Sequence, residues 1–571
     1  MTLTGGPVVV ADYPAVMTWD GRRLPGQWLT LAAIAQACSR ARTQGTCTVV
    51  IRRSHHLAAL ASYLKRVTDQ GLMIVLTPQR VGGSLESPAL VYGAGTMHVV
   101  GRWVLDAYVR PRHRQRPHHG SRERARPRDA RRHRRQPHRG DQYRPLHGNR
   151  SIDAGGLVVA PGFIELHTHG DNKLNYEFRA MDGVTTMLDT ERGAVDVDQW
   201  YADRDGKALV NYGISVGHSA ARVQVVGGQY QGFHFSGPAR TSAATPEQIE
   251  QIASLLRRGL ARGALGVGLM PFYTPAATQE EMRRMFAVAA EVPGAAVYVH
   301  LRYAGLGANG QLGAVQALEE VLGLSRETKA PLHVCHISSS GLSATPTLLR
   351  MVADARAQGQ DVTTELYPYT AAMSGIKSTW FDPGWQQTLA ISYDKLQWPK
   401  TGEFLTEATF KKYQRENPGD EVIIHAIPQD AFVAALRDPN TMIISDGLVF
   451  PNLVAHPRSS GTSARVLGPL VREQKLLPLM EALRKMTLMP AQRLEAVAPM
   501  MKNKGRVRVG ADADLAIFDP QTVADSAKFG DPAKYSVGVR YVLVAGVAVV
   551  SNGELQTGIA PGRAVRGPIK N

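Results

Sequence analysis

Eight strand-like runs that alternate with helical stretches follow residue 151, and this alternation constrains the fold more than any other feature of the sequence. Start signals mark several of the helices. In Thr245-Pro246-Glu247-Gln248 a threonine N-cap precedes proline and then a glutamine at the third helical position. Eight alternating units of this length predict an α/β fold of the (β/α)₈ TIM-barrel class. The predicted strands are Gly162–His167, Val184–Asp189, Gly213–His218, Ala264–Met270, Ala296–Leu301, Pro331–Ile337, Asp361–Tyr367 and Thr441–Asp446.

The length of 571 residues predicts two or three domains. We place the barrel at 151–504. The long gap between its seventh and eighth strands, about 373–440, predicts an insertion over the barrel mouth, either a substrate lid or a packing subdomain. Residues 505–571 predict part of a small β-sandwich, whose natural partner is the strand-like stretch Ile152–Val159. Residues 1–100 predict an N-terminal α/β region in which we find no site motif.

The positive charge of the chain is concentrated in residues 101–150, which hold 16 arginines and four acidic residues and carry most of the formal net charge of +17. This Arg-, Pro- and His-rich segment cannot bury enough apolar surface to fold. A solvated linker, or GC-rich coding sequence in a shifted reading frame, explains the segment better than a nucleic-acid tether. Aromatic residues for base stacking are nearly absent from it. We therefore expect no nucleic-acid partner.

The sequence indicates a cytoplasmic protein. It contains no run of about 20 apolar residues, so we expect no membrane-spanning segment. Its N-terminus lacks a basic stretch followed by a short apolar core, so we expect no secretory signal. Cys38, Cys47 and Cys335 are too few, and odd in number, for a disulfide framework. No sequence feature indicates an oligomeric state.

Side chains that can bind metal fall at the carboxyl ends of the predicted strands, which form the catalytic rim of a barrel. His167 and His169 end the first strand. Because residues i and i+2 of a strand face the same way, both imidazoles can aim at one point. His and carboxylate ligands that leave room for water are typical of a catalytic zinc site. The later strand ends carry Asp189, Glu191, His218, His300, His336, Glu365, Tyr367 and Asp446.

Longer motifs carry a family resemblance that covers about residues 151–560. The stretch VAPGFIELHTHG from Val159 resembles the opening signature of the amidohydrolase superfamily. Later motifs resemble its D-aminoacylase, or N-acyl-D-amino-acid deacylase, branch. The resemblance implies a metal-dependent barrel flanked by a β-sandwich that both chain ends build. The Arg-rich segment stands where the N-terminal strands of that sandwich are expected. The motifs are DGVTT from Asp182, GALGVGL from Gly263, YVHLR from Tyr298, YPYT from Tyr367, SDG from Ser445, HPR from His456 and GADADLAIFDP from Gly510.

The resemblance also implies a site with one or two zinc ions. Asp446 would bind metal and act as general base. Well-known D-aminoacylases have a cysteine after the second strand, and Glu191 lies near that position here. Other superfamily members bridge two metals with a carboxylated lysine from the fourth strand, but Ala264–Met270 contains no lysine. The simplest interpretation is therefore that the Glu191 carboxylate bridges the two metals, with Asp189 as the alternative. The implied histidine ligands are His167, His169, His300 and His336.

The implied reaction is the hydrolysis of a small-molecule amide, an N-acyl-D-amino acid. Zinc-activated water attacks the amide carbon, and Asp446 moves the proton to the leaving nitrogen. Arg458 offers a bidentate fork for the substrate carboxylate. Ser338 stands where the branch commonly has a lysine, so one cation for that carboxylate is missing. The further substrate-binding candidates are Tyr367 and Tyr369 beside the carboxylate, and Tyr273 and His218 beside the oxyanion.

Two alternatives stay open. The missing second cation leaves room for a dipeptide or a cyclic amide as substrate, as in hydantoinase or dihydroorotase. The absence of a fourth-strand lysine argues against the cyclic-amide alternative. The other alternative is a catalytically weak barrel whose Arg-rich segment binds nucleic acid.

Overall fold

The computed structural model describes residues 8–13, 16–20, 26–44, 46–54, 73–80, 93–100, 152–231, 233–307, 312–508 and 510–570. The chain divides into two compact units, Met1–Gly155 and Gly156–Asn571. Each unit is considered by itself. The Arg-rich segment 101–150, for which the sequence leaves several interpretations open, lies outside the described residues.

The first unit contains a mixed five-stranded sheet and one helix. Helix α1 (Gly26–Gln44) connects the two parallel neighbours β2 and β3. It buries Leu29, Ala33 and Ala37, which are spaced four residues apart and so share one helical face. The strands, in the sheet order β1-β2-β3-β5-β4, are β1 (Val8–Tyr13), β2 (Val16–Asp20), β3 (Thr46–Ser54), β4 (Met73–Arg80) and β5 (Gly93–Val100).

The second unit alternates strands and helices along most of its length. Its strands are β6 (Val158–Pro161), β7 (Phe163–Glu165), β8 (Val184–Ala194), β9 (Asn211–Gly217), β10 (Gln229–Gln231), β11 (His234–Ser236), β12 (Gly266–Leu269), β13 (Ala296–Val299), β14 (Leu332–Val334), β15 (Val362–Leu366), β16 (Ala372–Gly375), β17 (Leu396–Gln397), β18 (Glu421–Ile424), β19 (Thr441–Ile443), β20 (Leu515–Phe518), β21 (Val539–Val544), β22 (Val547–Ser551) and β23 (Glu554–Leu555).

The α-helices of this unit are α2 (Lys173–Met181), α3 (Val197–Ala202), α4 (His218–Val226), α5 (Pro238–Thr241), α6 (Pro246–Ala261), α7 (Gln279–Ala290), α8 (Ala314–Thr328), α9 (Ile337–Gly341), α10 (Thr345–Ala357), α11 (Trp385–Leu389), α12 (Glu407–Glu416), α13 (Gln429–Arg437), α14 (Arg458–Arg465), α15 (Leu479–Met486) and α16 (Leu488–Leu494). The predicted start of α6 is confirmed, because Thr245 and Gln248 form a capping box.

The eight predicted barrel strands are present as β7, β8, β9, β12, β13, β14, β15 and β19, and the predicted fold class is confirmed. They lie side by side in chain order, and every neighbouring pair is parallel. The first and last strands meet just beyond their ends. The Asp446 amide donates to the His167 carbonyl at 3.0 Å, and the His169 amide donates to the Gly447 carbonyl at 2.7 Å. These two bonds close the curled sheet at its carboxyl rim.

A buried polar network supports this closure from the side of α2. Glu165 of β7 accepts a hydrogen bond from the Ser445 amide at 2.7 Å and pairs with Arg179. Arg179 also contacts Asp182 at 3.4 Å, and Asp182 accepts from the Ser463 amide at 2.6 Å. The three charged side chains are almost completely buried. The network therefore ties β7, α2 and the segments after β19 together by charge-assisted hydrogen bonds.

A flanking antiparallel sheet joins both ends of the barrel segment, as predicted. Its order is β23-β22-β21-β20-β6, and β6 pairs with β20 between Val158 and Phe518 at one end and Pro161 and Leu515 at the other. The strand-like stretch before the barrel is thus the partner of the C-terminal strands. Within 152–570 the described flanking strands form this one sheet.

The segment between the seventh and eighth barrel strands has a small sheet of its own. Strands β16, β18 and β17 are antiparallel in that order, and short helices connect them. Ala372 and Met373 of β16, and Trp380 just beyond it, face the cavity of the barrel mouth. The inserted segment therefore supplies part of the cavity wall.

None of the helices in the described ranges combines the length and the apolar character needed to cross a bilayer.

Replacement of Arg179 by methionine is expected to lower the free energy of unfolding by about 3–5 kcal/mol. The change leaves the carboxylates of Glu165 and Asp182 buried without their cation. Urea unfolding followed by tryptophan fluorescence measures the loss. As the matched control, Arg257→Met breaks the exposed pair with Glu291 and is expected to cost about 1 kcal/mol or less. A similarly small loss for Arg179→Met would contradict the role given to the buried network.

Candidate metal centre

The barrel strands bring the six predicted ligands to one rim because they are parallel and in register. His167 and His169 follow β7, and Glu191 lies in the second half of β8. His300 directly follows β13, and His336 lies two residues beyond β14. Asp446 comes three residues after β19. All six side chains are nine-tenths or more buried.

Glu191 lies at the centre of four imidazoles. Its Oε1 atom is 3.1 Å from His300 Nδ1 and 2.9 Å from His336 Nε2. Its Oε2 atom is 3.4 Å from His167 Nε2 and 3.3 Å from His169 Nε2. One carboxylate oxygen thus faces each pair of histidines. This is the arrangement that a bridging carboxylate between two cations requires.

Asp446 lies on the His167 and His169 side of this cluster. Its Oδ1 atom is 3.6 Å from His167 Nε2 and 3.3 Å from His169 Nε2. Its Oδ2 atom is 3.1 Å from Nη1 of Arg458. The carboxylate therefore has one oxygen toward the histidines and the other toward a buried cation.

Two of these residues have backbone angles that side-chain-bearing residues seldom adopt. His336 has φ 28° and Asp446 has φ 50°. Such conformations cost about 1–3 kcal/mol each and persist where the surroundings hold them. In both cases the unusual backbone stands where a strand end turns its side chain toward the cluster.

A second layer of carboxylates lies behind the histidines, and one of them hydrogen-bonds to His167. Glu365 Oε1 is 2.6 Å from His167 Nδ1, and its Oε2 is 2.9 Å from His333 Nε2. Asp189 Oδ1 is 3.5 Å from His169 Nδ1, and its other oxygen pairs with Arg192 at 2.8 Å. Carboxylates in this position fix ring orientation and tautomer. Asp189 thus lies behind His169, whereas Glu191 lies among the four histidines.

The protonation of the histidines reflects these contacts. Burial disfavours the charged form of His167, but Glu191 and Glu365 outweigh burial and raise its pKa well above the ordinary value. The same balance between burial and neighbouring carboxylates raises the pKa of His169 to about 10. For His300 burial dominates, and its pKa is lowered.

The carboxylates are held in the charged form. Burial would raise the pKa of Glu191, but the surrounding imidazoles, His167 first, hold it well below its usual range. For Asp446 the Arg458 guanidinium is the strongest influence that opposes burial, and the pKa is lowered. Buried anions therefore face buried imidazoles throughout the cluster.

The donor set fits a divalent cation. In its neutral form His167 donates Nδ1–H to Glu365, so its Nε2 carries a lone pair, and this atom is 3.1 Å from His169 Nε2. Two ring nitrogens so close need a proton or a cation between them. Nitrogen and carboxylate donors of this kind suit zinc. Among the described residues three sets offer three donor atoms within 4.8 Å of one another. Two contain only predicted ligands: His167, His169 and Asp446, and Glu191, His300 and His336. The third shares His167 with Cys335 and Glu365.

A small cavity opens onto the cluster. Its wall is aromatic and apolar on one side and polar on the other. Sequence reasoning missed several wall residues, because Phe233 comes from a short hairpin and Trp380 from the inserted segment, neither of which carries a site motif. The lining residues are Glu191, Phe233, Tyr273, His300, His336, Ser339, Tyr367, Ala372, Met373, Trp380, Asp446 and Arg458.

Arg458 presents unused donors to this cavity. It is 2% exposed, and its Nε and Nη1 atoms make no hydrogen bond within the described structure beyond the ion pair with Asp446. Its guanidinium lies 4.5 Å from the ring centroid of Tyr367, whose hydroxyl is likewise buried and unpaired among the described residues. Buried polar groups without partners indicate a missing ligand or water.

The remaining predicted substrate contacts are distributed differently. Tyr273 lines the cavity with its ring, while its hydroxyl is 3.2 Å from Ser374 Oγ and accepts from Trp380 Nε1. His218, Tyr369 and Ser338 do not line the cavity. His218 pairs with the buried Glu281 at 2.8 Å, Tyr369 packs on His456 and Arg465, and Ser338 is buried behind the lining residue Ser339.

Two family profiles match the chain. The profile described as "Amidohydrolase family" matches residues 150–377 and 433–550, which is more than half of the chain. Its gap falls within the insertion predicted at about 373–440. The profile described as "Malate/L-lactate dehydrogenase" matches residues 1–101, a segment apart from the metal-site candidates.

Known proteins align with the barrel unit. A D-aminoacylase of Alcaligenes xylosoxydans xylosoxydans is 30% identical over 448 residues, covering 70% of this chain and 85% of the relative. An N-acyl-D-glutamate deacylase of the same organism is 30% identical, covering 73% and 88%. The solved N-acyl-D-glutamate deacylase of Bordetella bronchiseptica, complexed with zinc and a phosphonate inhibitor that mimics the tetrahedral intermediate, has a TM-score of 0.62 at 26% identity, covering 73% and 90%.

These matches confirm the resemblance that the motifs indicated. The family profile and the relatives span the barrel and its flanking sheet, and the candidate ligands lie at the barrel rim. The chain belongs to the amidohydrolase family.

Proposed function

We propose that the chain is a zinc-dependent deacylase of N-acyl-D-amino acids. The observation that carries this proposal is the position of Glu191 among four histidines, in one cavity with Asp446 and the underused Arg458. The relatives that are named for this reaction support it.

The residues divide between two ion positions. Glu191 would be the ligand that both positions share. One or two ions are compatible with the donor count. Zinc would supply Lewis acidity at such a site, since it activates water near neutral pH and polarises a carbonyl. His167, His169 and Asp446 would hold one position, and His300 and His336 would hold the other.

Asp446 transfers the proton from the attacking water to the leaving group. Its carboxylate lies beside the histidine pair and would accept a proton from the attacking water. Arg458 holds the pKa of this carboxyl low, so that it is ionised before the reaction. The protonated carboxyl then returns the proton to the leaving nitrogen, and the products are a carboxylic acid and a D-amino acid.

Arg458 and Tyr367 bind the carboxylate of the substrate. A guanidinium with free donors and a neighbouring phenol hydroxyl match two carboxylate oxygens. The buried Ser338 does not replace the lysine of the branch, and Ser339 lines the cavity instead. We therefore assign carboxylate recognition to Arg458 and Tyr367 rather than to a pair of cations.

Zinc-loaded protein is expected to release primary amine from N-acetyl-D-amino acids faster than from the L enantiomers, and a chelator is expected to stop the reaction. Asp446→Asn is expected to lower kcat by at least about 10²-fold, since proton transfer is lost. A fluorogenic amine assay on paired D and L substrates measures both effects. Release from cyclic amides alone would contradict the deacylase assignment in favour of ring opening. Equal rates for Asp446→Asn and the wild type would refute the role of Asp446.

Glu191→Gln is expected to reduce the bound zinc, because the neutral amide cannot bridge two cations and leaves four imidazoles without their central anion. Atomic absorption after dialysis against buffer gives the zinc content per chain. Asp189→Asn is the comparison, since that carboxylate lies behind His169 and is expected to cost less metal. Unchanged zinc in Glu191→Gln together with loss in Asp189→Asn would move the bridge to Asp189.

Glu365→Gln is expected to weaken zinc binding by about 10–100-fold, because the ring of His167 loses the anion that fixes its tautomer. Competition against a chelator of known affinity measures the change. Glu281→Gln is the matched control, since Glu281 is an equally buried carboxylate that pairs with His218 outside the cavity. Equal zinc affinity in the two variants would show that Glu365 has no positioning role.

A further inference from the structure

One carboxylate of the inserted segment has no partner. Glu421 is the first residue of β18, and its side chain forms neither a hydrogen bond nor an ion pair with any residue in the described ranges. Its neighbour Asp420 differs, since it pairs with Lys400 at 2.5 Å. Glu421 is partly buried, whereas a structural surface carboxylate is normally either solvated or paired.

The strand register places Glu421 on the same face of the inserted sheet as Met373. Met373 of β16 lines the cavity, and Gly375, two residues further along the strand, shares its face. Glu421 is the direct cross-strand partner of Gly375, so its side chain lies on that face as well. Glycine contributes no side chain to cover it.

The electrostatics of Glu421 link it to the metal-site candidates. Burial raises the pKa of its carboxyl to about 7, and the charges that act on it most strongly are Arg458, His169 and Asp446. Glu421 in turn contributes to the raised pKa of Arg458. The carboxylate therefore lies within electrostatic range of the substrate cavity without touching the candidate ligands.

The cavity wall offers Glu421 one guanidinium, which already has another anionic partner. Arg458 is the one Lys or Arg side chain among the lining residues that the structure describes, and Asp446 already pairs with it at 3.1 Å. The wall contributed by Phe233, Met373 and Trp380 is apolar and aromatic. A partly buried carboxylate without a partner beside such a wall favours a cationic group, and the aromatic rings stabilise one further.

We propose that Glu421 is a specificity-determining residue that selects substrates with a positively charged ammonium group and rejects those with a second carboxylate. The inference rests on the proposed deacylase function and narrows its substrate class. The ammonium can belong to the amino-acid side chain or to the acyl part, and both place a cation near the scissile amide. An acidic side chain, such as that of the substrate named for the N-acyl-D-glutamate deacylase relative, meets repulsion.

Four substrates separate these cases at about pH 8, where most of the Glu421 carboxyl is ionised. They are N-acetyl-D-lysine, β-alanyl-D-methionine, N-acetyl-D-methionine and N-acetyl-D-glutamate. The wild type is expected to show a higher kcat/KM for one or both cationic substrates than for N-acetyl-D-glutamate. Glu421→Gln is expected to reduce that preference about tenfold. Glu421→Lys is expected to reverse it.

Asp420→Asn is the matched control, because it removes the same charge from the adjacent residue, whose side chain is paired with Lys400. It is expected to keep the wild-type preference. Zinc content is measured for each variant, so that a general loss of the site is recognised by metal loss. An unchanged preference in Glu421→Gln with full zinc content would overturn the proposal, as would an equal change in Asp420→Asn.

Binding distinguishes failure of this proposal from failure of the deacylase function. Calorimetry with N-acetyl-D-lysine and N-acetyl-D-glutamate reports the same preference without turnover. Charge-selective binding that Glu421→Gln removes, in a protein that hydrolyses no panel member, would refute the deacylase function and retain the role of Glu421. Hydrolysis with no charge preference would do the reverse. Neither binding nor hydrolysis would overturn both.

Discussion

The meeting of the first and last barrel strands is the constraint on which the candidate site depends. Two backbone hydrogen bonds, from Asp446 to His167 and from His169 to Gly447, bring residues some 280 positions apart in the chain into one rim. The side chains of His167, His169 and Asp446 form one of the three donor sets in the described residues. The buried ion network of Glu165 and Arg179 stabilises the closure just beneath. Fold and site are thus held by the same contacts, so that damage to the closure removes a metal position as well.

Burial of so many ionisable groups is possible because opposite charges alternate from layer to layer. Carboxylates behind the histidines, histidines around Glu191, and a guanidinium beyond Asp446 each offset the desolvation of the next group. At the rim each buried charge is offset by its neighbours. The last charged group in this series is Arg458 at the cavity, which retains N–H donors without a hydrogen-bond acceptor among the described residues. Glu421 is the opposite case, a carboxylate that the layers do not neutralise. The proposed substrate selection rests on these two groups, the guanidinium of Arg458 and the carboxylate of Glu421.

The sequence predicted the barrel and the convergence at its rim because strand periodicity and strand-end position are local properties. His167 and His169 could be paired from their i, i+2 spacing alone. The sequence could not place Glu365 behind His167, since that contact joins residues 198 positions apart. It also named Ser338 where Ser339 lines the cavity, because each residue of the short helix α9 turns the side chain by about 100°. His218 follows the rule for strand ends but turns to Glu281, a contact that joins residues 63 positions apart in the chain.

The most direct test of the account is a crystal structure of the zinc-loaded protein with anomalous diffraction data at the zinc edge. The account predicts zinc at the rim with a Glu191 oxygen at about 2.0–2.2 Å, and, at full loading, a second peak on the other oxygen. Zinc bound elsewhere, or zinc at the rim with the Glu191 carboxylate turned away from it, would contradict the account.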